Sequence, residues 1–470
     1  MRNRLGCCVD CRFEMTDKAY PPARARFGWI LFDWSTQPFF TLVTTFIFAP
    51  YFTSAVVSDP AQGQALWGYA TGFAGLCIAM LSPFLGSVAD ASGPRKPWIA
   101  LFGTFLFIGC AMLWFAVPGA PYAIFFGLLG YVIATLGAEF ASVFNNAMMP
   151  TLVPPEKLGR LSGTGWAVGY VGGLISLVIA LAFLATDPDT GKTLLGRDPA
   201  FGLDASSRAG DRASGPFAAF WFLIFVLPLI VLTPDIAKTG LSLRAAMVDG
   251  LQSLHESLRG LRTEKNLARF LLANMIYADG LAALFAFAGI YAAGVFGWGS
   301  TQIGIFGILL TITATLGAWL GGKADDAFGP RPVIALSLFM LILASIGIVG
   351  TGRDVIFFMV PVVPADALAG LFAGTSEQVY IALGLLIGLV AGPLQAASRT
   401  MLIRLSKPEK IGQNFGLFAL SGKVTSFLGP TLVALVTGIT ASQRAGVAVL
   451  IAFFAIGLVL MLRVRQAGSE

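Results

Sequence analysis

The sequence predicts an all-α membrane protein with twelve transmembrane helices, arranged as two pseudo-symmetric halves of six. Three observations support this prediction. Hydrophobic residues make up 56% of the 470 and charged residues only 12%, whereas roughly 25% of an average soluble domain is charged. Apolar stretches of about 20 residues, long enough to cross a bilayer as helices, recur along the whole chain. A charged loop motif occurs twice, about half a chain apart.

The apolar stretches place the twelve helices to within a few residues. Each stretch is bounded by a short polar or charged segment, and none of the intervening segments is long enough for a soluble domain. The predicted helices fall at about 28–54, 64–89, 97–117, 121–148, 161–185, 217–233, 267–294, 302–322, 331–350, 376–402, 411–438 and 443–462.

The duplicated motif reads G-x-x-x-D-x-x-G-x-R and lies between helices 2 and 3 and again between helices 8 and 9. Repetition at this spacing indicates a duplicated membrane unit. Asp90 falls near a helix C-terminus, where the helix dipole disfavours an acid, so we expect a nearby cation such as Arg95 to neutralise it. The residues of the motif, which we expect to gate the protein, are Gly86, Asp90, Gly93, Arg95 and Lys96 in the first copy and Gly322, Asp326, Gly329 and Arg331 in the second.

The spacing of this motif resembles the paired loops of the major facilitator superfamily. The resemblance implies a fold of two six-helix halves in which helices 1, 4, 7 and 10 line a central cavity. Because the second copy ends in Arg-Pro rather than in two basic residues, we expect its latch to be weaker. We expect a tail at 1–26, an N-terminal half at 27–233, a linker with an amphipathic helix at 234–266, a C-terminal half at 267–463 and a tail at 464–470.

The distribution of Lys and Arg indicates which side of the membrane each end of the predicted bundle faces. Most of the 31 Lys and Arg residues fall in segments that share a side with the N-terminus, so both termini are expected to be cytoplasmic, in a bacterial inner (plasma) membrane. The same bias accounts for the net charge of +6 without any nucleic-acid partner. Cys7, Cys8 and Cys11 in the tail could bind a metal, but they lack a fourth ligand, and we expect no metal site.

Helix 1 carries a polar stripe on one face. Asp33, Thr36 and Gln37 lie at helical spacing on an otherwise apolar helix, and Pro38 predicts a kink beside them. The stretch FDWSTQPFFTLVTTFIFAPYF, together with helices 4, 5, 7, 10 and 11, resembles the vacuole-effluxer branch of the superfamily. That resemblance implies export of amino acids or related metabolites.

Charged side chains inside the helices mark the predicted solute site. Each would cost about 2.5–3.5 kcal/mol if it faced lipid at the bilayer centre, so they must face one another or a water-filled cavity. One interpretation is that they form structural ion pairs. The other is that they form a solute site, in which Arg399 or Lys423 binds a substrate carboxylate and Glu139 or Asp279 carries a proton. The charged residues are Asp33, Glu139, Asp279, Arg399 and Lys423, and polar neighbours on the same helices are Thr36, Gln37, Asn146 and Gln395.

A second internal match supports the duplication. Aligning 155–159 (PEKLG) with 408–412 (PEKIG) matches Asn146 with Arg399. The sequence contains neither a P-loop nor an H-E-x-x-H motif. We therefore expect no enzyme activity and no cofactor, and predict a monomeric secondary transporter of a small solute, with a proton as a candidate coupling ion. The alternatives are a multidrug or sugar carrier of the same fold and a membrane sensor that does not transport.

Overall fold

A computed structural model describes residues 20–186, 190–260, 264–298, 300–363 and 371–465. Within these residues, twelve helices are long and apolar enough to cross a membrane, which confirms the predicted fold class. The three tail cysteines lie outside the described residues. We number the spans α1 (Ala23–Val56), α2 (Pro60–Ser92), α3 (Lys96–Phe115), α4 (Ala123–Ala147), α5 (Leu158–Phe183), α6 (Ala209–Leu232), α7 (Lys265–Phe296), α8 (Ser300–Phe328), α9 (Pro330–Gly350), α10 (Thr375–Leu405), α11 (Ile411–Thr440) and α12 (Gln443–Leu462).

The first span changes its helical form where the sequence predicts a kink. The α-helix Ala23–Pro38 is followed by a π-helix at Phe39–Phe46, a short α-helical turn at Phe48–Tyr51 and a second π-helix at Phe52–Val56. Proline removes one backbone donor and clashes with the preceding turn, and a wider π turn accommodates both effects. The stripe containing Asp33 therefore ends at this change of form.

Span α11 was predicted as one helix at 411–438, and this prediction is wrong in one respect. The structure has two helices, Ile411–Lys423 and Leu428–Thr440, separated by a turn at 424–427. Pro430 stands in the first turn of the second helix and cannot donate a backbone hydrogen bond to the preceding turn, which accounts for the break; the hydrophobic pattern alone does not reveal it.

Span α6 begins earlier than predicted, at Ala209 rather than near 217. Its extra turns carry polar residues that are paired within the N-terminal half. Asp211 accepts from Arg208 at 3.1 Å, and the Arg212 guanidinium lies 5.0 Å from the centre of the Trp114 ring. These residues therefore form helix in a segment that the sequence placed between two predicted spans. A short hairpin, β1 (Val355–Ile356) and β2 (Val360–Pro361), lies between α9 and α10.

The linker contains the expected helix, Leu243–Gly260. It packs on α2, because Ala246 is buried and a Cβ on Gly250 would lie 2.9 Å from the backbone nitrogen of Val88. Next to this packed face, Met247 and Leu251 remain exposed. The linker therefore rests on the end of the bundle that carries the duplicated loops, which we call the motif end; the opposite end is the far end.

Candidate solute site and gating loops

An arginine in the middle of the bundle joins the two halves. Arg399 on α10 donates to Asp33 on α1 at 3.1 Å and to Asn146 on α4 at 2.8 Å, and its side chain is only 5% exposed. A third, longer bond of 3.4 Å reaches the backbone carbonyl of Ser162 on α5. A buried guanidinium needs charged and polar partners, and this one takes all of its hydrogen-bond partners from the N-terminal half.

The contact between Arg399 and Asn146 reflects the duplication of the chain. The two residues are 253 residues apart, the separation of the two PEK-[L/I]-G segments, so they occupy equivalent positions in the two halves. Two equivalent residues can touch only where the pseudo-twofold axis passes between them. Arg399 therefore lies beside the pseudo-twofold axis.

Two tryptophans that the sequence analysis did not single out surround this arginine. The guanidinium carbon lies 4.8 Å from the centre of the Trp166 ring and 5.9 Å from that of Trp29. The Trp29 indole nitrogen donates to the backbone carbonyl of Asn145 at 2.7 Å, which fixes the ring. Arginine stacks favourably on such rings. The only indication of these two tryptophans in the sequence is that each stands about one helical turn from a polar residue of the site.

A second ion pair joins the halves nearby. Lys423 on α11 lies 2.7 Å from Glu139 on α4, and their side chains are 32% and 21% exposed. Lysine stands at the last position of the first α11 helix, where the helix dipole favours a cation. Both mid-membrane bridges thus have the acid in the N-terminal half and the cation in the C-terminal half.

The remaining predicted solute-site residues lie in different surroundings. Gln395 donates to the Tyr170 hydroxyl at 2.9 Å, which adds another polar contact between the halves. Thr36 donates to the backbone carbonyl of Phe32 at 3.2 Å in its own helix. Gln37 packs on α5, where a Cβ on Gly173 would lie 2.7 Å from its Cγ. Thr36 and Gln37 are therefore engaged within the N-terminal half.

Asp279 is not part of the central cluster. It was expected to line the cavity with the other charged residues, yet it is 3% exposed and accepts a hydrogen bond from the backbone of Gly429 at 3.0 Å. Its carboxylate faces α11 because Gly429 packs directly on α7, with no space for a side chain. This acid belongs to a contact inside the C-terminal half.

The first loop motif locks onto the start of α11. Asp90 accepts from the backbone nitrogens of Gly412 at 3.0 Å and Gln413 at 2.8 Å, and Arg95 also contacts it as expected. An acid at a helix N-terminus satisfies free N–H groups and is favoured by the helix dipole. Asp90 therefore stabilises a helix of the opposite half.

The loop is itself anchored by the linker. Asp235 accepts from the backbone nitrogens of Arg95 at 2.8 Å and Lys96 at 3.0 Å, and the Lys96 ammonium donates to the carbonyl of Ile230 at 2.9 Å. Burial lowers the pKa of Arg95 from its ordinary value, and the neighbouring Asp90 opposes that effect. Gly93 has a φ of 97°, which only glycine adopts readily.

The second motif makes the equivalent contact with α5. Asp326 accepts from the backbone nitrogen of Arg160 at 3.0 Å, and the Arg160 side chain lies 3.3 Å from it but is 62% exposed. Arg331 donates instead to the carbonyl of Leu462 at 2.6 Å, and Gly329 has a φ of 85°. The cation of the second latch thus comes from the opposite half and not, as the sequence suggested, from the motif arginine.

Glycines permit the helices to meet closely at both latches. A methyl group on Gly86 would overlap the carbonyl oxygen of Gly412, and one on Gly163 would overlap that of Ala318. In the second seam, Gly322 lies so close to Gly159 that a Cβ would be 2.6 Å from its carbonyl oxygen. The seams α2–α11 and α5–α8 are related by the duplication and together close the motif end.

Twelve spans in two halves, matching loop latches and charged bridges in mid-membrane define a protein of the major facilitator superfamily of transporters. The model of the family described as vacuole effluxer Atg22 like matches residues 62–159 and 156–469, and the chain belongs to that family.

Relatives and solved structures agree with this assignment. The chain is 25% identical to an uncharacterized MFS-type transporter, YxiO of Bacillus subtilis, over 94% of this chain and 95% of that protein. It is 26% identical to autophagy-related protein 22 of Cryptococcus neoformans over 65% of this chain, but spans only 50% of that protein. Its fold resembles FucP in the outward conformation, with a TM-score of 0.67 at 15% identity over 94% of this chain and 99% of FucP. The human organic anion transporter MFSD10 matches with a TM-score of 0.65 at 15% identity, over 94% and 100% of the two chains.

Proposed function

We propose that this protein is a proton-coupled secondary transporter that exports amino acids or related metabolites by alternating access. The observation that supports the proposal is the pair of mid-membrane bridges, Arg399–Asp33 and Lys423–Glu139, each joining the two halves. We also propose that it acts as a monomer in a bacterial inner membrane, with both termini cytoplasmic, as the Lys and Arg distribution favours.

The bridges suit a zwitterionic solute. An α-amino acid offers a carboxylate to Arg399 or Lys423 and an ammonium group to Asp33 or Glu139. Exchanging protein–protein pairs for protein–solute pairs keeps every charge compensated in a low-dielectric site, where an unpaired charge is costly. A sugar has no charge to exchange, so these bridges favour an amino acid over the sugar alternative.

The same bridges provide a means of coupling. A ligand can shift a conformational equilibrium only by its differential affinity for the two states. Solute at Arg399 and a proton on Glu139 would both weaken contacts between the halves, and those contacts hold the motif end closed together with Asp90 and Asp326. Opening at the motif end requires both latch acids to leave their helix N-termini.

The proposal is tested by solute counterflow in proteoliposomes containing the full-length protein. Neutral amino acids, dipeptides, sugars and organic acids are loaded in turn, and uptake of the same labelled compound is measured. We expect neutral amino acids to accelerate exchange and Arg399→Gln to reduce it at least tenfold, because a lost charged contact costs about 1.5–3 kcal/mol.

Lys192→Gln is the matched control for this assay. Lys192 pairs with Asp198 at 2.7 Å on an exposed loop, far in sequence from every bridge residue, so its loss should leave exchange unchanged. Exchange of sugars but not amino acids, or full activity of Arg399→Gln, would contradict the proposed substrate class.

A further inference from the structure

The break in α11 lies opposite an acid that the proposed solute site does not use. The first α11 helix ends at Lys423 and the second begins at Leu428, and Asp279 on α7 faces the start of the second helix. One carboxylate oxygen of Asp279, Oδ2, accepts from Gly429 at 3.0 Å. Asn274, on the same helix, donates to Ser421 at 3.0 Å on the other side of the break.

Two oxygen atoms at this break are buried without a hydrogen-bond partner. They are Oδ1 of Asp279 and Oγ1 of Thr425, which belongs to the turn itself. Asp279 is 3% exposed, and in the described part of the chain no Lys or Arg lies within ion-pair distance of it. A buried carboxylate without a counter-charge is unfavourable in a membrane.

One oxygen of the carboxyl group is satisfied by the protein and the other is not. Oδ2 of Asp279 accepts the backbone N–H of Gly429 in the first turn of a thirteen-residue helix, Leu428–Thr440. Oδ1 is left without a partner, and a small cation bound there would balance the charge of the carboxylate without a protein cation. In transporters, backbone carbonyls freed where a membrane helix is unwound coordinate small cations.

We propose that the break in α11 is a binding site for a sodium-sized monovalent cation, held by Asp279 Oδ1 and Thr425 Oγ1. A single carboxylate balances one positive charge, whereas a divalent ion would leave a net buried charge. Carboxylate and hydroxyl oxygens are hard donors that suit such an ion. This site adjoins Lys423 of the proposed solute site along the chain but uses different oxygen atoms, and it would exist whatever solute the protein carries.

The position of the site gives the ion a structural consequence. The first α11 helix is held by the opposite half, through Asp90 at its start and Glu139 at its end. The second α11 helix is held by α7 of its own half, through Asp279. An ion at the junction would fix the angle between a segment bound to one half and a segment bound to the other.

The test is the melting temperature of the purified full-length protein in detergent, titrated with NaCl against choline chloride at constant ionic strength and without solute. We expect a saturable rise of several degrees with NaCl alone, because a ligand that binds only the folded state stabilises it by mass action. Asp279→Asn should remove the rise while keeping the bond from Gly429. Thr425→Val should require a higher NaCl concentration for the same rise.

Asp198→Asn is the matched control, since it removes an exposed acid outside both proposed sites and should keep the full response to NaCl. Size-exclusion profiles establish that each variant is folded before melting is compared. Identical melting in NaCl and choline chloride would overturn the proposal, and so would a response that survives Asp279→Asn or disappears in Asp198→Asn. None of these outcomes depends on transport.

Discussion

At the scale of single residues, the Lys423–Glu139 bridge makes a specific prediction about coupling. Glu139 is 21% exposed and lies 2.7 Å from Lys423, so the side chain proposed to carry the coupling proton also forms a contact between the halves. In Glu139→Gln, proteoliposomes should lose accumulation of solute driven by a pH gradient but keep counterflow exchange. Accumulation and exchange are measured on the same vesicles with labelled amino acid.

Asp198→Asn serves as the control, because Asp198 lies in an exposed ion pair and its loss should change neither activity. Gradient-driven accumulation that persists in Glu139→Gln would exclude Glu139 as the proton carrier. Loss of exchange as well would instead make Glu139 a residue needed for the conformational change itself.

The sequence identified the charged residues of this site but not their partners. A charge inside an apolar helix is visible from composition, because its cost in lipid requires a partner. Whether that partner lies in the other half, as for Arg399, or is a backbone N–H of the same half, as for Asp279, depends on how the helices rotate and break. Trp29 and Trp166 were missed for the same reason, since aromatic residues in a membrane helix usually face lipid or the core.

At the scale of helices, the close glycine contacts between α2 and α11 predict that alanine substitution has different effects at two positions of α2. Gly86→Ala would place a methyl group against the carbonyl of Gly412, whereas Gly72 has no atom within 4 Å of an added Cβ. Overpacking costs about 1–3 kcal/mol, and alanine at an open helical position gains about 1 kcal/mol. Gly86→Ala should therefore open the motif end, and Gly72→Ala should not.

The measurement uses a protein whose five native cysteines are replaced and in which a single cysteine is introduced at Ser82. Ser82 is fully buried in the same seam, and the rate at which the new cysteine is labelled is recorded. A water-soluble maleimide should label it roughly tenfold faster in Gly86→Ala. Equal rates in the two glycine variants would show that the seam does not control access.

The helices themselves were largely predictable, and of the interruptions that the structure describes only the one beside Pro38 was predicted. All twelve predicted spans appear as candidate membrane spans among the described residues, because twenty apolar residues leave few alternatives in a bilayer. The turn at 424–427 interrupts α11 just before Gly429 and Pro430, and Gly429 is also held by α7 through Asp279. The Gly-Pro pair is a local signal for the break, because proline lacks a backbone N–H and disfavours helix at the residue before it. A prediction based on the length of the apolar run does not use this signal.

At the scale of the whole molecule, the two latches are related by the duplication but differ in their chemistry. Asp90 is held by two backbone nitrogens and by a buried arginine of its own loop, whereas the cation beside Asp326 is the exposed Arg160 of the opposite half. Exposed ion pairs contribute at most about 1 kcal/mol. We infer that the second latch is the one that opens first; the weaker C-terminal latch expected from the sequence stays a prediction.

A disulfide across the second latch tests whether the motif end must open during transport. In the background without native cysteines, Arg160→Cys is combined with Asp326→Cys. The two positions are neighbours across the latch, because the Asp326 carboxylate accepts the backbone N–H of Arg160 at 3.0 Å. Oxidation should cross-link the helices α5 and α8 and stop solute exchange in proteoliposomes, and a reductant should restore it. Each single cysteine variant, treated with the same oxidant, should keep exchanging. Because alternating access requires the two halves to separate at this end in every cycle, full exchange by the cross-linked protein would rule out the mechanism for this chain.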